Sequence, residues 1–192
     1  MIVLASASPR RAEWLERIGV PFVVRPVAID ESPRADEPAP AYVLRLAREK
    51  AAGAAADRVV LAADTAVCLD GRIFGKPRDE HEGLAMLLAL AGREHQVFTA
   101  LTVRSPDREA CRLASAIVTF RAIEPAEAAA YWRTGEPADK AGGYGMQGMG
   151  GVFVSRIDGS PGAVVGLPLR ETHDVLRSFG IRCWSDARPR NA

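Results

Sequence analysis

Residues Leu61–Pro77 read LAADTAVCLDGRIFGKP. An apolar run beginning at Val59 ends in a carboxylate, Asp64, and Thr65 follows. Ala66–Leu69 then reads as a short strand, Asp70-Gly71 is a strong two-residue hairpin signal, and Arg72-Ile73-Phe74 returns toward Gly75-Lys76-Pro77. A carboxylate just past the end of a buried strand sits where open α/β sheets build their sites. Simple pairing about the turn sets Leu69 opposite Arg72 and Thr65 opposite Lys76. Opposed side chains lie about 5 Å apart, so one local unit can present an acid, a hydroxyl and an ammonium. The plainer alternative is a turn-capping Asp64 and a solvated Lys76. Regular alternation also sends Asp64 to the face opposite Thr65 and Lys76. If Asp64 and Lys76 share a ligand, the ladder must end or bulge near Gly75.

The rest of the chain bounds what such a unit can serve. Its 192 residues can bury a sizeable core, and 48% apolar with 26% charged is ordinary for a globular protein. A net charge of +1 argues against a broad nucleic-acid or membrane surface, so any basic site is local. Cys68, Cys111 and Cys183 form no metal-binding spacing and read as small apolar filler in a reducing, cytoplasmic setting. MIVLASASPRR has the charge order opposite to a signal peptide, and no apolar run approaches a membrane span.

Upstream, Ile2-Val3-Leu4 is a strand, and Ser8-Pro9 opens a helix ended by Gly19. Arg10 and Arg11 fall in its first turn, where cations oppose the helix dipole. An anion bound at that helix start resolves the conflict; two solvated arginines are the alternative. Phe22 to about Val27 is a second strand. The loop Ile29–Pro40 carries Asp30, Glu31, Asp36 and Glu37, either magnesium ligands or a solvated acidic loop. A helix from Ala41 to about Ala56 places Lys50 on its buried face, either snorkelling outward or meeting an anion in a cleft.

Downstream, a helix over Asp79–Leu90 precedes a long hairpin, Gln96–Arg104 with Ala110–Arg121, beside which His95 reads as a strand-end polar residue. A helix spans Glu124 to about Arg133. Gly135–Gly151 then holds seven glycines in seventeen residues, with Asp139, Lys140, Tyr144 and Gln147 among them as contact candidates. Glycines let backbone approach a ligand closely, and the Gln147 amide can read a base edge. Val152–Ile157 reads as a strand and Pro168–Phe179 as the last helix. The reading is one domain over residues 1–184, with a frayed tail from Ser185.

Six motifs in order carry a resemblance: Ser6-x-Ser8-Pro9-Arg10-Arg11, Leu46-Ala47-Arg48-Glu49-Lys50-Ala51, Ala63-Asp64-Thr65, Gly75-Lys76-Pro77, Asp139-Lys140-Ala141-Gly142-x-Tyr144-Gly145-x-Gln147-Gly148 and Val165-Gly166-Leu167-Pro168-Leu169. From about residue 2 to 180 the chain resembles the Maf nucleoside triphosphate pyrophosphatases. The resemblance implies an α/β fold, a long twisted mixed β-sheet flanked by helices around a central cleft, similar to the inosine triphosphate pyrophosphatases. It implies hydrolysis of a nucleoside triphosphate to the monophosphate and pyrophosphate with a divalent metal (Mg²⁺, Mn²⁺ or Co²⁺), in a cytoplasmic homodimer.

Carried over residue by residue, the resemblance makes Asp64 the catalytic acid and a metal ligand, with Glu31 as the second metal-associated acid. It places substrate selection on Arg10, Thr65 and Gln147, and phosphate contacts on Ser6, Arg11, Lys50 and Lys76. The retained Asp-Lys-Ala-Gly and Tyr-Gly-x-Gln-Gly patterns match the branch acting on dTTP and UTP rather than the one acting on 7-methyl-GTP. Asp30-Glu31 where many relatives have two glutamates, and Met146 where isoleucine is common, leave fine preference open. The rivals are a nucleotide-binding regulator of division with little catalysis, and a house-cleaning enzyme for ITP or 7-methyl-GTP.

Overall fold

The computed structural model describes residues 1–54 and 57–184. In chain order the elements are β1 (Ile2–Leu4), α1 (Pro9–Arg17), β2 (Phe22–Val24), α2 (Ala39–Gly53), β3 (Val60–Leu69), β4 (Arg72–Phe74), α3 (Glu80–Leu90), β5 (Glu94–Arg104), β6 (Glu109–Phe120), α4 (Pro125–Trp132), β7 (Val154–Gly159), α5 (Pro161–Val165) and α6 (Leu169–Ser178). Three short 3₁₀ turns lie between α4 and β7. The expected end of α2 near Ala56 and the tail from Ser185 lie outside the described residues.

Seven strands form one mixed sheet in the order β2-β1-β3-β5-β6-β7, with β4 paired to β3 off that path. Both pairs of β1 are parallel; the other pairs are antiparallel. This is the mixed α/β architecture expected from the sequence. The helices cover both faces. Leu61 and Ala63 of β3 pack with Leu15 of α1 and Leu176 of α6, while Val60 and Ala62 pack with Ala51 of α2. A further cluster joins Val67 and Val97 to Leu87 of α3, Tyr131 of α4 and Tyr144.

Local sequence signals explain the element ends. Pro9 and Pro125 occupy first-turn positions, where a missing N–H costs nothing. The Asp79 carboxylate caps α3 by accepting from Glu82 N at 2.8 Å. Asp70 and Gly71, both at positive φ, make the β3–β4 turn with Leu69 opposite Arg72 as expected.

Two expectations change. Asp64 does not follow a strand end. It sits inside β3, because β5 pairs without a break from Val60↔Arg104 to Cys68↔Gln96 and holds the backbone extended through it. Nor does Thr65 face Lys76, since the β3–β4 ladder ends at Val67↔Phe74, where the chain must part near Gly75. On the edge away from β5, β1 pairs with residues 60 and 61 and β4 with residues 67 to 69. Among the described residues no strand pairs between those registers. The sheet therefore opens a gap along β3 at Asp64 and Thr65.

Candidate active site

A cleft of about 390 Å³ occupies that gap, within the size range of small-molecule sites. Its lining brings together Ser6, Arg10, Arg11, Glu31, Lys50, Asp64, Thr65, Lys76 and Gln147, every site residue expected from the sequence. The alternation problem is resolved by the gap. Asp64 points to the α2 face and Thr65 to the α1 face, yet both border the same unpaired edge.

On the α2 face, Lys50 is buried and its Nζ lies 2.6 Å from Asp64 Oδ1 and 2.7 Å from Glu31 Oε1. Lys50 thus does not snorkel; it joins two carboxylates inside the cleft. Asp64 is 6% exposed, and burial pushes its carboxyl above the ordinary value, with Lys50 and Arg11 pulling part of the way back. Burial opposes ionisation of Glu31 too, but the hydrogen bond and charge of Lys50, with Lys76 and Arg11, hold it lower than usual. Tyr42, from α2, anchors the acidic loop by donating to the Glu31 carbonyl at 2.8 Å.

On the α1 face, Arg11 is held by its own fork. Its Nε donates to the Gly166 carbonyl at 2.9 Å, Nη1 to Ser6 Oγ at 3.0 Å and Nη2 to Thr65 Oγ1 at 3.1 Å. A guanidinium has five N–H donors, so part of the fork is left for a ligand. Burial lowers the Arg11 pKa, Asp64 raises it, and Arg10 adds to the fall. Thr99 fixes the direction of the chain of hydroxyls. Its Oγ1 donates to the Ala163 carbonyl at 2.7 Å, so Thr65 Oγ1, 2.8 Å away, donates to Thr99 and accepts from Arg11.

The third wall is the glycine-rich segment. Arg10 Nη1 pairs with Asp139 at 3.6 Å across the cleft mouth. Gln147 is exposed, and its Oε1 accepts from Trp14 Nε1 at 3.3 Å. Tyr144 is buried, its hydroxyl 2.9 Å from His95 Nε2. Lys140 donates to the Glu136 carbonyl at 2.7 Å and to Asp139 at 2.6 Å. Lys76 lies exposed at the rim.

His95 is a strand-end residue as expected, second in β5, and it is buried; burial lowers its pKa to about 4 and leaves it neutral. Other readings need correction. Of the four acids of the loop before α2, only Glu31 enters the cleft. Asp30 caps Ser32 at 2.9 Å, and Glu37 grips Arg45 at 2.7 Å. Cys111 is more than filler, because Arg48 Nε donates to its Sγ at 3.2 Å. Sequence reasoning missed Thr99, Tyr131 and Glu136. Thr99 is one more residue of an alternating strand, and Glu136 stands beside a proline at a helix end, so neither carries a local signal.

The donor set fits a hard divalent cation. Among the described residues no three His, Cys, Asp or Glu side chains gather into a metal cluster. Two carboxylates, Asp64 and Glu31, do converge on one ammonium. Mg²⁺ is commonly held by one or two carboxylates, with water and substrate phosphates completing its shell.

Fold and site together define an α/β protein with a cation-lined cleft built around one buried carboxylate. The chain belongs to the Maf family, whose model, described as Maf-like protein, matches residues 1–179. It is 48% identical to the dTTP/UTP pyrophosphatase of Saccharophagus degradans over 98% of this chain and 93% of that one. It is 51% identical to the dTTP/UTP pyrophosphatase of Methylobacillus flagellatus over 94% of this chain and 93% of that one. The protein of the same description from Anaeromyxobacter is 52% identical, over 93% of this chain and 89% of its own. Among solved structures, the Staphylococcus aureus Ham1 protein overlaps 62% of this chain and 71% of its own, at a TM-score of 0.44 and 16% identity.

Proposed function

We propose that this protein is a dTTP/UTP pyrophosphatase, hydrolysing the α–β phosphoanhydride to give the nucleoside monophosphate and pyrophosphate. The observation that carries the reading is Asp64, a buried carboxylate raised in pKa, facing a cleft that also holds Arg11, Lys50 and Lys76. The names of relatives about half identical over nearly the full chain support the substrate.

Asp64 serves as general base, taking a proton from the water that attacks the α-phosphorus while the bond to the β-phosphate oxygen breaks and pyrophosphate leaves with the electron pair. A carboxylate whose pKa is raised is a stronger base than a solvated one, and general-base catalysis contributes about 10²–10⁴-fold. A divalent cation held by Asp64 and Glu31 would offset phosphate charge and polarise the α-phosphoryl group. Ser6, Arg11, Lys50 and Lys76 bind the phosphate chain. Arg11 meets it with a fork already fixed by Gly166, Ser6 and Thr65, so little side-chain entropy remains to be lost on binding. Arg10 and Gln147 select the base from the cleft mouth, while Thr65 holds the Arg11 guanidinium at the phosphate end. A site built on hydrogen bonds rejects a base that leaves them unpaired.

Among the described residues no helix is long and apolar enough to cross a membrane. We place the enzyme in the cytoplasm, acting on free nucleotides, and the near-neutral net charge supports this over action on nucleic acid. We take the working unit as a homodimer, as the family resemblance implies, and light scattering of the purified protein tests it.

The deciding experiment is pyrophosphate release from dTTP, UTP, CTP, ATP, GTP, ITP and 7-methyl-GTP with Mg²⁺, Mn²⁺ or Co²⁺. Preference for dTTP and UTP is expected. Equal turnover of all bases, or preference for ITP or 7-methyl-GTP, overturns the substrate assignment. Tight nucleotide binding with no pyrophosphate released overturns the enzyme itself in favour of a nucleotide sensor.

A further inference from the structure

The glycine-rich segment that carries Gln147 wraps around one carboxylate that does not line the cleft. Glu136 Oε1 accepts from Tyr131 Oη at 2.7 Å and from Gly150 N at 3.0 Å, and Oε2 accepts from Met149 N at 2.9 Å. Tyr131 Oη in turn accepts from Gly145 N at 3.0 Å. The tip between these anchors, Gly145 to Gly150, is closed by Gly148 N donating to the Gly145 carbonyl at 3.2 Å. Gln147 therefore stands on a short turn pinned on both sides by the same phenol–carboxylate pair.

The glycines are explained by this pair rather than by backbone sign. None of Gly145, Gly148 and Gly150 has positive φ. A Cβ on Gly148 would overlap the Glu136 carboxylate, one on Gly150 would overlap the Tyr131 hydroxyl, and one on Gly145 would meet Lys140 Cε at 2.7 Å and Glu136 Oε1 at 2.9 Å. The backbone must be bare to reach the clamp. Burial opposes ionisation of Glu136, but the bonds from Gly150, Tyr131 and Met149, with the charge of Lys140, outweigh it and keep the carboxylate charged. Tyr131 is itself fixed, buried in α4 and packed edge-on against Phe153 with ring centroids 5.1 Å apart.

We propose that Glu136 and Tyr131 are positioning residues for base selection: together they hold the turn that presents Gln147 to the base, without touching substrate. This rests on the reading in which Gln147 contacts the base. A glutamine at 136 keeps the shape but turns one acceptor into a donor, facing N–H groups that already donate. The turn then loosens, the base loses its reader, and the phosphate end is untouched.

The test measures kcat and KM for UTP and CTP, and inhibition by inorganic pyrophosphate, in the wild type, Glu136→Gln, Tyr131→Phe, Gln147→Ala and the Glu136→Gln/Gln147→Ala double variant. Circular dichroism and thermal unfolding check the fold. Glu136→Gln is expected to lower the UTP-over-CTP ratio of kcat/KM about tenfold, mostly through KM for UTP, the size of one lost charge-assisted hydrogen bond. Pyrophosphate inhibition stays as in the wild type, and the double variant falls no further in selectivity than Gln147→Ala. A ratio within about twofold of wild type in Glu136→Gln, when Gln147→Ala collapses it, overturns the positioning role and leaves the Gln147 reading standing. An unchanged ratio in Gln147→Ala overturns that reading, and the proposal with it. If Glu136→Gln does not fold, Tyr131→Phe decides by the same criteria, because it removes only the phenol from the clamp.

Discussion

At the Arg11 end of the cleft, side chains from α1, β3 and β5 are tied to one another and to the backbone around α5; at the Gln147 end, backbone N–H groups of a loop are tied to one carboxylate. The first is a network of a guanidinium and three hydroxyls, in which Arg11 donates to Ser6 and Thr65, and Thr65 donates on to Thr99. The second hangs three backbone donors on the Glu136 carboxylate and the Tyr131 phenol. The difference suits the tasks proposed for them. Phosphate chemistry needs charges held within a fraction of an ångström on rigid strands and helix starts. Base selection needs a reader held in place, and a loop whose glycines let its backbone reach Glu136 and Tyr131 supplies it.

The sharpest way to break this contrast is at the acid between the two ends. Asp64→Asn keeps the shape of the side chain and removes the proposed base. Turnover of dTTP should fall about 10²–10⁴-fold while circular dichroism stays native. A variant keeping more than about a tenth of wild-type turnover contradicts the role given to Asp64.

A second effect originates on the Gln147 side of the cleft and is read in the stability of the whole fold. His95 packs edge-on against Phe120 and Tyr144, at centroid distances of 4.8 and 5.5 Å, and bonds the Tyr144 hydroxyl. With a folded pKa of about 4 against 6.5 when unfolded, the unfolded chain binds the extra proton between those values. Stability therefore rises with pH across that window. It should fall by about 3 kcal/mol as pH drops from 6.5 to 4, on top of whatever the carboxylates contribute. Urea unfolding at both pH values checks it, and His95→Gln should show a smaller pH difference than wild type. Equal pH differences would remove His95 from the account.

The smallest of the three tests the rigidity of the Arg11 end. Arg11→Lys keeps the charge but cannot bond Gly166, Ser6 and Thr65 together. Catalytic efficiency should drop about tenfold for dTTP and CTP alike, in contrast to a change at Gln147, which should alter their ratio. A selective loss would mean that Arg11 reads the base and that the two ends are not separate.

Much of this was legible in the chain because it is local. The Asp70-Gly71 turn and the proline-led helices α1 and α4 depend on neighbours within a few residues, and the turn chemistry fixes them. The charge pattern was informative too: two arginines against a helix dipole and a lysine on an apolar face are local conflicts, and all three residues, Arg10, Arg11 and Lys50, line the cleft. Alternation also flagged that Asp64 and Thr65 face opposite ways, without showing how one cleft could use both.

What tertiary structure alone decided is where the sheet opens. β3 runs unbroken because β5, some thirty residues on, pairs along its whole length, while β1 and β4 share its other edge and leave Asp64 and Thr65 uncovered between them. Strand pairing is a long-range choice, so no local pattern could announce that gap. The same holds for the contacts that fix Arg11 to Gly166, 155 residues apart, and Thr99 to Ala163, 64 apart. The sequence by itself determined the turns, the caps and the set of charged residues available. The long-range pairing of strands determined which of them meet, because only the folded sheet brings both of its faces to one open edge.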